Sequence, residues 1–334
     1  MEREDMKALI TGGAGFVGVH LARGLVSEGY EVVLVDNFSR GVRDRELTQL
    51  AENPAISLVK ADLTAPTAAF DLPDDCDHIY HFAAIIGVQH VLDRPFDVLA
   101  ENTKMLFAAI DLARRQKNLS RLIFASTSEV YAGTLRHYSL PTPTPETTPL
   151  TVSPLEENRT SYMLSKIYGE ALCRQSQLPI TLIRPHNFYG PRMGLSHVIP
   201  QLLERAWRAK DGDDFEVYSV DHRRTFAYID DAVQFIRLAA ESQACEGEVL
   251  NIGNQAPEVR IDELAEKILA AVGRNLHLIP QPATPGSPLR RCPDMSKTMS
   301  LTGYTPEVSL EDGIERTFSW YLKNVFEDGG VSAQ

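Results

Sequence analysis

Short apolar runs alternate with longer amphipathic segments through the first half of the chain. Each run is five or six residues long and is too apolar for a strand with one face in water. The runs predict buried strands at residues 7–11, 31–36, 56–60, 78–82, 121–125 and 180–184. Periodic segments predict helices near residues 15–28, 95–116, 160–176, 197–209, 230–242, 261–272 and 309–323. Buried strands separated by helices are typical of a parallel, doubly wound α/β sheet.

Two proline-rich stretches interrupt this alternation. Residues 141–154 contain five prolines, which exclude a helix interior or a central strand. Because strand and helix patterns resume on both sides, we expect a rigid loop there. Residues 280–293 are also rich in proline and carry the adjacent Arg290 and Arg291. We expect the polar segment 327–334 to be a disordered tail.

Composition and charge limit the partners of this chain. Its 334 residues are 43% apolar, enough to bury a core, and its formal net charge of -12 disfavours nucleic acid and anionic membranes. No apolar run reaches the roughly 20 residues that cross a bilayer, and the charged start lacks a signal peptide's apolar region, so we expect a cytoplasmic protein. The four cysteines and the histidines lack metal-ligand spacing. We therefore expect buried, reduced thiols and no metal site.

A glycine-rich turn follows the first predicted strand and opens the first helix. Gly12 permits a tight turn, Gly15 lets the backbone approach a pyrophosphate, and Gly18 allows close packing of helix on strand. The helix N-terminus then faces the phosphates of a dinucleotide.

The end of the second predicted strand selects the dinucleotide. Asp36 stands there, and its carboxylate can accept hydrogen bonds from an adenosine ribose. It would repel the 2'-phosphate of NADP, so we expect NAD, although Arg40 and Arg43 follow closely in sequence.

A second group of residues can supply acid and base chemistry. Tyr162 and Lys166 stand four apart on a predicted helix, so both side chains lie on one face. A phenol is a poor base at neutral pH, and the lysine ammonium with a positive nicotinamide would favour the phenolate. Thr127, Ser128 and Glu129 follow the fifth strand, at the edge where such sheets bind ligands.

Together these motifs resemble the extended short-chain dehydrogenase/reductase family, specifically its nucleotide-sugar epimerases, dehydratases and decarboxylases. The resemblance runs from about residue 6 to residue 321. Its motifs are TGGAGFVG at 11–18, DN at 36–37, ADL at 61–63, HFAA at 81–84, TSEVY at 127–131, Tyr162 with Lys166, RPHNFYGP at 184–191 and RTF at 224–226. It implies NAD as the cofactor and a Rossmann doubly wound parallel sheet in residues 1–185. A smaller C-terminal α/β substrate-binding domain would occupy residues 186–326, with some return to the sheet.

The resemblance also implies roles for individual residues. The cofactor would contact Gly12, Gly15, Phe16, Val17, Gly18, Asp36, Asn37, Asp62, Leu63, Phe82, Ala83, Ala84, Asn102, Tyr162, Lys166 and Pro185. The catalytic residues would be Thr127, Ser128, Glu129, Tyr162 and Lys166. The nucleotide sugar would contact Gly87, Val88, Thr127, Asn187, Val198, Tyr218, Arg224, Arg290 and Arg291. Relatives dimerise through the helices near 95–116 and 160–176, so a homodimer is expected.

The implied reaction passes through a 4-keto sugar, formed when Tyr162 removes the 4-hydroxyl proton and hydride passes to NAD. Glu129 favours decarboxylation or dehydration, because simple 4-epimerases of the family usually have a small or neutral residue there. Segment 290–306 is similar to the end of glucuronate decarboxylases, which makes UDP-glucuronate a candidate substrate. Dehydratases often carry Asp where this chain has Ser128, and segment 218–224 lacks the family's usual glycines, so the base and sugar stay open. The alternatives are a UDP-sugar or UDP-uronate 4-epimerase and, more remotely, a non-enzymatic dinucleotide-sensing protein.

Overall fold

The computed structural model describes residues 6–66, 71–283 and 287–327. Within these ranges the strands are β1 Lys7–Thr11, β2 Glu31–Asp36, β3 Ile56–Lys60, β4 His78–His81, β5 Arg121–Ala125, β6 Ile180–Pro185, β7 Phe188–Tyr189, β8 Asp214–Tyr218, β9 Arg223–Arg224, β10 Ala227–Tyr228, β11 Val249–Ile252, β12 Val259–Arg260, β13 His277–Gln281 and β14 Arg290–Arg291. The α-helices are α1 Phe16–Ser27, α2 Arg45–Ala51, α3 Val88–Asp93, α4 Pro95–Arg115, α5 Ala132–His137, α6 Asn158–Gln175, α7 Val198–Arg208, α8 Ile229–Glu241, α9 Ile261–Val272, α10 Ser296–Thr302 and α11 Leu310–Tyr321. Tighter 3₁₀ turns lie at Ser128–Tyr131 and Gln243–Cys245, and a π-helical turn lies at Leu322–Phe326.

The central sheet has seven strands in the order β11-β6-β5-β4-β1-β2-β3, and every neighbouring pair is parallel. The six strands predicted from the sequence all lie in it, which confirms the doubly wound α/β fold. β11 is missing from that prediction, because a four-residue run with Asn251 inside it is a weak strand pattern. The strand order reverses between β4 and β1, and this reversal opens a crevice at their carboxyl ends.

Helices cover both faces of the sheet. Along β1, Ala8 and Ile10 belong to an apolar cluster that includes residues of α1 and α8. Leu9, between them, belongs to a second cluster that includes residues of α4 and α6. Successive side chains of a strand point to opposite faces, so this division is what a strand buried on both sides requires.

Each of the long predicted helices is present, whereas four short ones are missing from the prediction. The missing helices are α2, α3, α5 and α10, which contain six or seven residues each. Two turns of helix are too few to show a clear apolar period in the sequence.

The second half of the chain forms small sheets beside the central one. β13 pairs with β8, β10 pairs with β7, and β12, β9 and β14 form a three-stranded sheet. β11 also comes from this half and joins the central sheet next to β6. The division into domains at residues 185 and 186 stays a prediction, and the tail predicted at 327–334 lies outside the described residues except for Glu327.

The proline-rich loop at 141–154 is held against the C-terminal half of the chain. The Thr144 amide donates to the Cys292 carbonyl at 2.8 Å, and the Asp294 amide donates to the Thr144 carbonyl at 2.9 Å. These backbone bonds fix the loop next to β14, in agreement with the rigid loop that the sequence predicts.

All four cysteines are buried and unpaired, as predicted for reduced thiols. Among the helices of the described ranges, none combines the length and the apolarity that crossing a bilayer requires.

Candidate active site

A cavity of about 1130 Å³ opens where the strand order reverses. Most of the predicted cofactor and catalytic residues line it, namely Gly12, Gly15, Phe16, Val17, Gly18, Asp36, Asn37, Asp62, Leu63, Phe82, Ala83, Ala84, Thr127, Tyr162, Lys166 and Pro185. Ordinary small-molecule sites measure roughly 300–1000 Å³. The cavity can therefore hold a dinucleotide together with a second ligand.

The glycine-rich turn lies against the end of β4. Gly12 has a φ of +70°, and a Cβ on it would lie 2.9 Å from the Ala83 amide nitrogen. A Cβ on Gly18 would lie 2.7 Å from the Gly12 carbonyl oxygen. Because only glycine fits these contacts, the first turn of α1 comes close to β1 and its amide groups face the cavity.

The carboxylate of Asp36 is fixed at the end of β2. It accepts hydrogen bonds from the amides of Ala14 at 3.0 Å and Phe38 at 2.8 Å. Asn37 donates to the Asp62 carboxylate at 3.3 Å, and the amide of Thr64 is the main reason that the pKa of Asp62 lies below its usual range. The Asp36 carboxylate can accept hydrogen bonds from an adenosine ribose, and the glycine-rich turn beside it fits the diphosphate of a dinucleotide.

Tyr162 and Lys166 lie on one face of α6 at the inner end of the cavity. The Lys166 ammonium nitrogen lies 5.9 Å from the centre of the Tyr162 ring and donates to the Ala125 carbonyl at 2.8 Å. Burial lowers the pKa of Lys166 to about 8. The lysine is still mainly protonated at neutral pH, and its proton points at the carboxyl end of β5.

Burial dominates the titration of Tyr162. It raises the pKa of the phenol to about 12, while a hydrogen bond from Thr127 acts in the lowering direction. The expectation that Lys166 and a positive nicotinamide together favour the phenolate stays a prediction. In the protein alone, desolvation and the charge of Glu129 raise the pKa of Tyr162, and the Thr127 hydrogen bond and the charge of Arg40 lower it by less. A further positive charge beside the ring is needed before Tyr162 can act as a base at neutral pH.

The segment after β5 orients the remaining predicted catalytic residues. Thr127 accepts a hydrogen bond from the Glu129 amide at 3.2 Å, which begins the turn at Ser128–Tyr131. Because this lone-pair direction is occupied, the Thr127 hydroxyl proton is available for Tyr162. Glu129 is partly exposed, while Ser128 is buried and, like Glu129, is not part of the cavity wall.

Asn102 supports the site from behind rather than lining it. Its carbonyl oxygen accepts from the Ile85 amide at 2.7 Å, and its amide donates to the Ser165 hydroxyl at 3.3 Å. These bonds tie the segment after β4 to α6, next to Lys166. Asn102 therefore holds the two walls of the cavity in register and does not itself face the cavity.

One of the predicted substrate-binding arginines, Arg291, lies directly beside Glu129 in the turn that follows β5. Arg291 donates to the Glu129 carboxylate at 2.7 Å. Arg224 pairs in register with Arg291 across β9 and β14 and donates to Ser287 Oγ at 2.8 Å. Burial and then the charge of Arg291 lower the pKa of Arg224 to about 10. Two cations and one carboxylate thus lie close together, 162 positions apart in sequence for Arg291 and Glu129.

Arg290 does not join this cluster. It forms an ion pair with Glu258 at 2.7 Å and lines a separate cavity of about 380 Å³. Its predicted substrate contact is not supported by this placement, because successive residues of a strand point to opposite sides.

The other predicted substrate residues are scattered around the C-terminal half and the loop after β4. Tyr218 ends β8 and is 51% exposed, and Asn187 donates to the Thr225 carbonyl at 2.9 Å. Val198 begins α7, Gly87 precedes α3 with a φ of +102°, and the side chain of Val88 lies outside the described part of the chain. Their contacts with a nucleotide sugar stay predictions.

The structure adds one residue at the cofactor end that sequence reasoning missed. Arg192 is 4% exposed, forms an ion pair with Asp44 at 2.6 Å and donates to the Gly15 carbonyl at 3.4 Å. It joins the C-terminal half to the glycine turn. Its position directly after the RPHNFYGP motif was the available sequence signal.

Comparisons with known proteins agree with this geometry. The model of the NAD dependent epimerase/dehydratase family matches residues 8–253. The UDP-N-acetyl-alpha-D-glucosaminuronate decarboxylase of Bacillus cytotoxicus is 32% identical, with 94% of this chain and 97% of that protein covered. UDP-glucuronic acid decarboxylase 1 of Arabidopsis thaliana is 30% identical, with 98% of this chain and 73% of that protein covered. The solved structure of UDP-glucuronic acid 4-epimerase from Bacillus cereus, in complex with UDP-glucuronic acid and NAD, has a TM-score of 0.81 at 27% identity and covers 95% of this chain and 99% of that one.

Proposed function

The chain belongs to the NAD dependent epimerase/dehydratase family, and we propose that within it this protein decarboxylates a UDP-linked hexuronate such as UDP-glucuronate. One contact carries the proposal: Arg291 donates to Glu129 at 2.7 Å, two residues beyond Thr127. A uronate has a carboxylate on carbon 5 that a simple hexose lacks, and a guanidinium is well suited to bind it. The two decarboxylase relatives are named for UDP-linked uronates, which supports this choice of substrate.

The first step oxidises carbon 4 of the sugar. Tyr162 takes the proton of the 4-hydroxyl, and Thr127 and Lys166 hold the phenol and the sugar oxygen in place. NAD, which the glycine-rich turn and Asp36 would hold, would supply the hydride acceptor for carbon 4 and the hydride donor at the end of the turnover. The step leaves Tyr162 protonated and the sugar as a 4-keto uronate.

The second step removes the carboxylate. A 4-keto uronate is a β-keto acid, so the bond from carbon 5 to the carboxylate can break and its electron pair can move to the oxygen on carbon 4. Carbon dioxide leaves, and the protonated Tyr162 and Thr127 stabilise the resulting enolate by hydrogen bonds. Glu129 has a 40% exposed side chain, so it can pass one proton taken up from the solvent pool to carbon 5, which is the proton that the net reaction consumes. Return of the hydride to carbon 4 and of the Tyr162 proton to the oxygen on carbon 4 would then give a UDP-pentose and restore Tyr162.

Product analysis tests the proposal. The protein with NAD is incubated separately with UDP-glucuronate, UDP-N-acetylglucosaminuronate and UDP-glucose, and the products are measured by mass and proton spectra. Loss of the mass of carbon dioxide from a uronate, with UDP-glucose unchanged, is the expected result. Loss of water would identify a dehydratase, and unchanged mass with altered ring couplings would identify an epimerase.

A UDP-uronate 4-epimerase is the second candidate. The observation in its favour is the similar Bacillus cereus structure, which is a 4-epimerase in complex with UDP-glucuronic acid. Both reactions share Tyr162, Thr127 and the 4-keto sugar. They differ in whether the carboxylate on carbon 5 is lost, and Glu129 favours loss because a partly exposed acid there can protonate carbon 5.

We also propose that the protein is a homodimer that associates through α4 and α6. These helices pack against each other, and each exposes a large apolar side chain: Phe107 of α4 is 46% exposed and Tyr168 of α6 is 45% exposed. Apolar surface of this kind is typical of an interface. Light scattering should give the mass of two chains, and the double variant Phe107→Ser, Tyr168→Ser should give one. A dimer that survives the double substitution would exclude this surface.

We also propose that the protein is cytoplasmic. Its four cysteines are buried and unpaired, a condition that a reducing compartment maintains. Fractionation of the source cells, with activity measured in each fraction, tests the assignment.

A further inference from the structure

Arg40 lies at the mouth of the main cavity without an acidic side chain paired to it in the described part of the chain. Its guanidinium donates to the Ile86 carbonyl at 2.7 Å. A Cβ built on Gly87 would lie 3.8 Å from the second guanidinium nitrogen, so this group rests on the loop that follows β4. A neutral carbonyl satisfies one of its five donors and leaves its charge uncompensated.

The side chain of Arg40 reaches from one end of the cavity toward the other. Its backbone lies four residues beyond Asp36, at the ribose end. The next residue, Gly41, comes so close that a Cβ there would lie 2.8 Å from the Asp36 carboxylate. The guanidinium itself lies on the loop that follows β4, and its charge acts on Tyr162 and His197.

The surroundings of the Arg40 guanidinium are poor in compensating charge. Burial lowers the pKa of Arg40 from its usual range, and Tyr162 acts only weakly in the other direction. Burial also lowers the pKa of His197, and the positive charge of Arg40 lowers it further. Arg40 is exposed to solvent at the edge of the cavity, and a guanidinium without an acidic partner among the described residues can bind an anion beside a neutral imidazole.

We propose that Arg40, in addition to the N-terminus of α1, binds the diphosphate of NAD. The cavity holds an adenosine ribose position at Asp36 and a reaction position at Tyr162, and the diphosphate is the charged part of a dinucleotide that lies between such positions. The inference needs NAD to bind but does not depend on which reaction the sugar undergoes. From the sequence alone, the only ligand considered for Arg40 is the 2'-phosphate of NADP, and this proposal assigns the residue a different one.

Two rival ligands for Arg40 are weaker on geometry. A 2'-phosphate would lie at the ribose end beside Asp36, whereas the Arg40 guanidinium contacts Ile86 beyond it. The carboxylate of a uronate would lie near Glu129, where Arg291 already supplies a guanidinium. The diphosphate is therefore the anion that this position fits.

Calorimetry on protein stripped of nucleotide tests the proposal without any sugar substrate. NAD, NADP, ADP-ribose and adenosine are titrated into the parent chain and into Arg40→Ala, Arg40→Lys and Arg43→Ala. We expect Arg40→Ala to weaken NAD and ADP-ribose by about tenfold to a hundredfold, the range for losing a charged hydrogen bond, and to leave adenosine unchanged. Arg40→Lys should recover part of the loss. Arg43→Ala is the matched control, because Arg43 stacks on Phe38 at 4.3 Å on the same loop.

Each other outcome overturns the proposal. Equal weakening of adenosine and NAD would mean that Arg40 only shapes the loop. Weakening of NADP alone would mean that it reads the 2'-phosphate. Unchanged NAD affinity in Arg40→Ala, with a raised KM for the uronate, would make it a substrate residue. Because binding is measured without turnover, failure of the decarboxylase proposal cannot be mistaken for failure of this one.

Discussion

Tyr162 is the residue on which the proposed reaction depends. Because the pKa of its phenol is about 12, the phenol stays protonated at neutral pH when only the protein's own groups act on it. Tyr162→Phe keeps the ring and removes the proton acceptor, so we expect NAD binding to persist and turnover to fall by about 10²–10⁴-fold. Product formation is measured by mass spectrometry and bound NAD by chromatography after denaturation.

Tyr138→Phe is the control for this variant, because Tyr138 is 66% exposed and does not line the main cavity. It should keep the parent rate. A Tyr162→Phe rate within about tenfold of the parent would contradict the assigned role, since acid–base catalysis contributes more than that.

In the proposed mechanism, Glu129 takes part in the chemistry at carbon 5 but not in the oxidation at carbon 4. Glu129→Gln keeps the size of the side chain and removes the proton that it can deliver. We expect product formation to fall by about 10²-fold or more, while reduced cofactor accumulates because the first step needs only Tyr162. Near-ultraviolet absorbance follows the reduced cofactor, and mass spectrometry follows the product.

Glu157→Gln is matched to it, since the Glu157 side chain is 41% exposed and also pairs with an arginine, Arg136. It should behave as the parent does. An undiminished rate of carbon dioxide loss in Glu129→Gln would contradict the role of Glu129 as the acid that protonates carbon 5.

At the level of elements, the packing of α6 on β5 is the contact that aims Tyr162 and Lys166. Gly169 makes it possible, because a Cβ there would lie 2.4 Å from Phe124 Cζ. We expect Gly169→Ala to lower the free energy of unfolding by about 1–3 kcal/mol through overpacking. Gly24→Ala in α1 should raise it by about 0.5–1 kcal/mol, since nothing lies within 4 Å of that Cβ and alanine favours a helix.

Chemical denaturation measures both glycine variants. If Gly169→Ala were as stable as the parent, α6 would be free to move away from β5, and the fixed placement of Lys166 against Ala125 would be wrong.

For the whole molecule, buried histidines predict an acid-sensitive fold. Burial lowers the pKa to about 4 for His20 and His78 and to about 3 for His81 and His186, against an ordinary value of 6.5. Between about pH 6.5 and pH 4 these histidines are protonated in the unfolded chain but stay neutral in the folded chain. The stabilisation is therefore complete above pH 6.5 and is lost as the pH falls toward the folded values, by about 1.4 kcal/mol per pH unit for each histidine.

Thermal unfolding between about pH 7.5 and pH 4 tests this acid sensitivity. The Tm should be nearly constant above pH 6.5 and should fall steeply below it. His137→Asn changes an exposed histidine and should leave the profile unchanged. A flat profile down to pH 4 would show that the buried histidines are accessible to protons.

Local sequence patterns determined the dinucleotide end of the site. Each of the residues concerned acts within one turn or at one strand end, so the spacing along the chain is enough to predict where it lies. They are the glycines at 12, 15 and 18 and Asp36. Tyr162 and Lys166 also lie on one helix, where a separation of four places two side chains on the same face. Six of the seven strands of the central sheet, all except β11, are long and apolar enough to be recognised one at a time.

Only the tertiary structure decided the substrate end. Arg291 meets Glu129 because β14 pairs with β9, and adjacent arginines on one strand point to opposite sides, so Arg290 faces another cavity. Arg40 reaches the loop after β4 only because its own loop folds back over Asp36. The raised pKa of Tyr162 follows from burial, which depends on every element around it. Such properties belong to contacts between distant parts of the chain, and no local pattern specifies them.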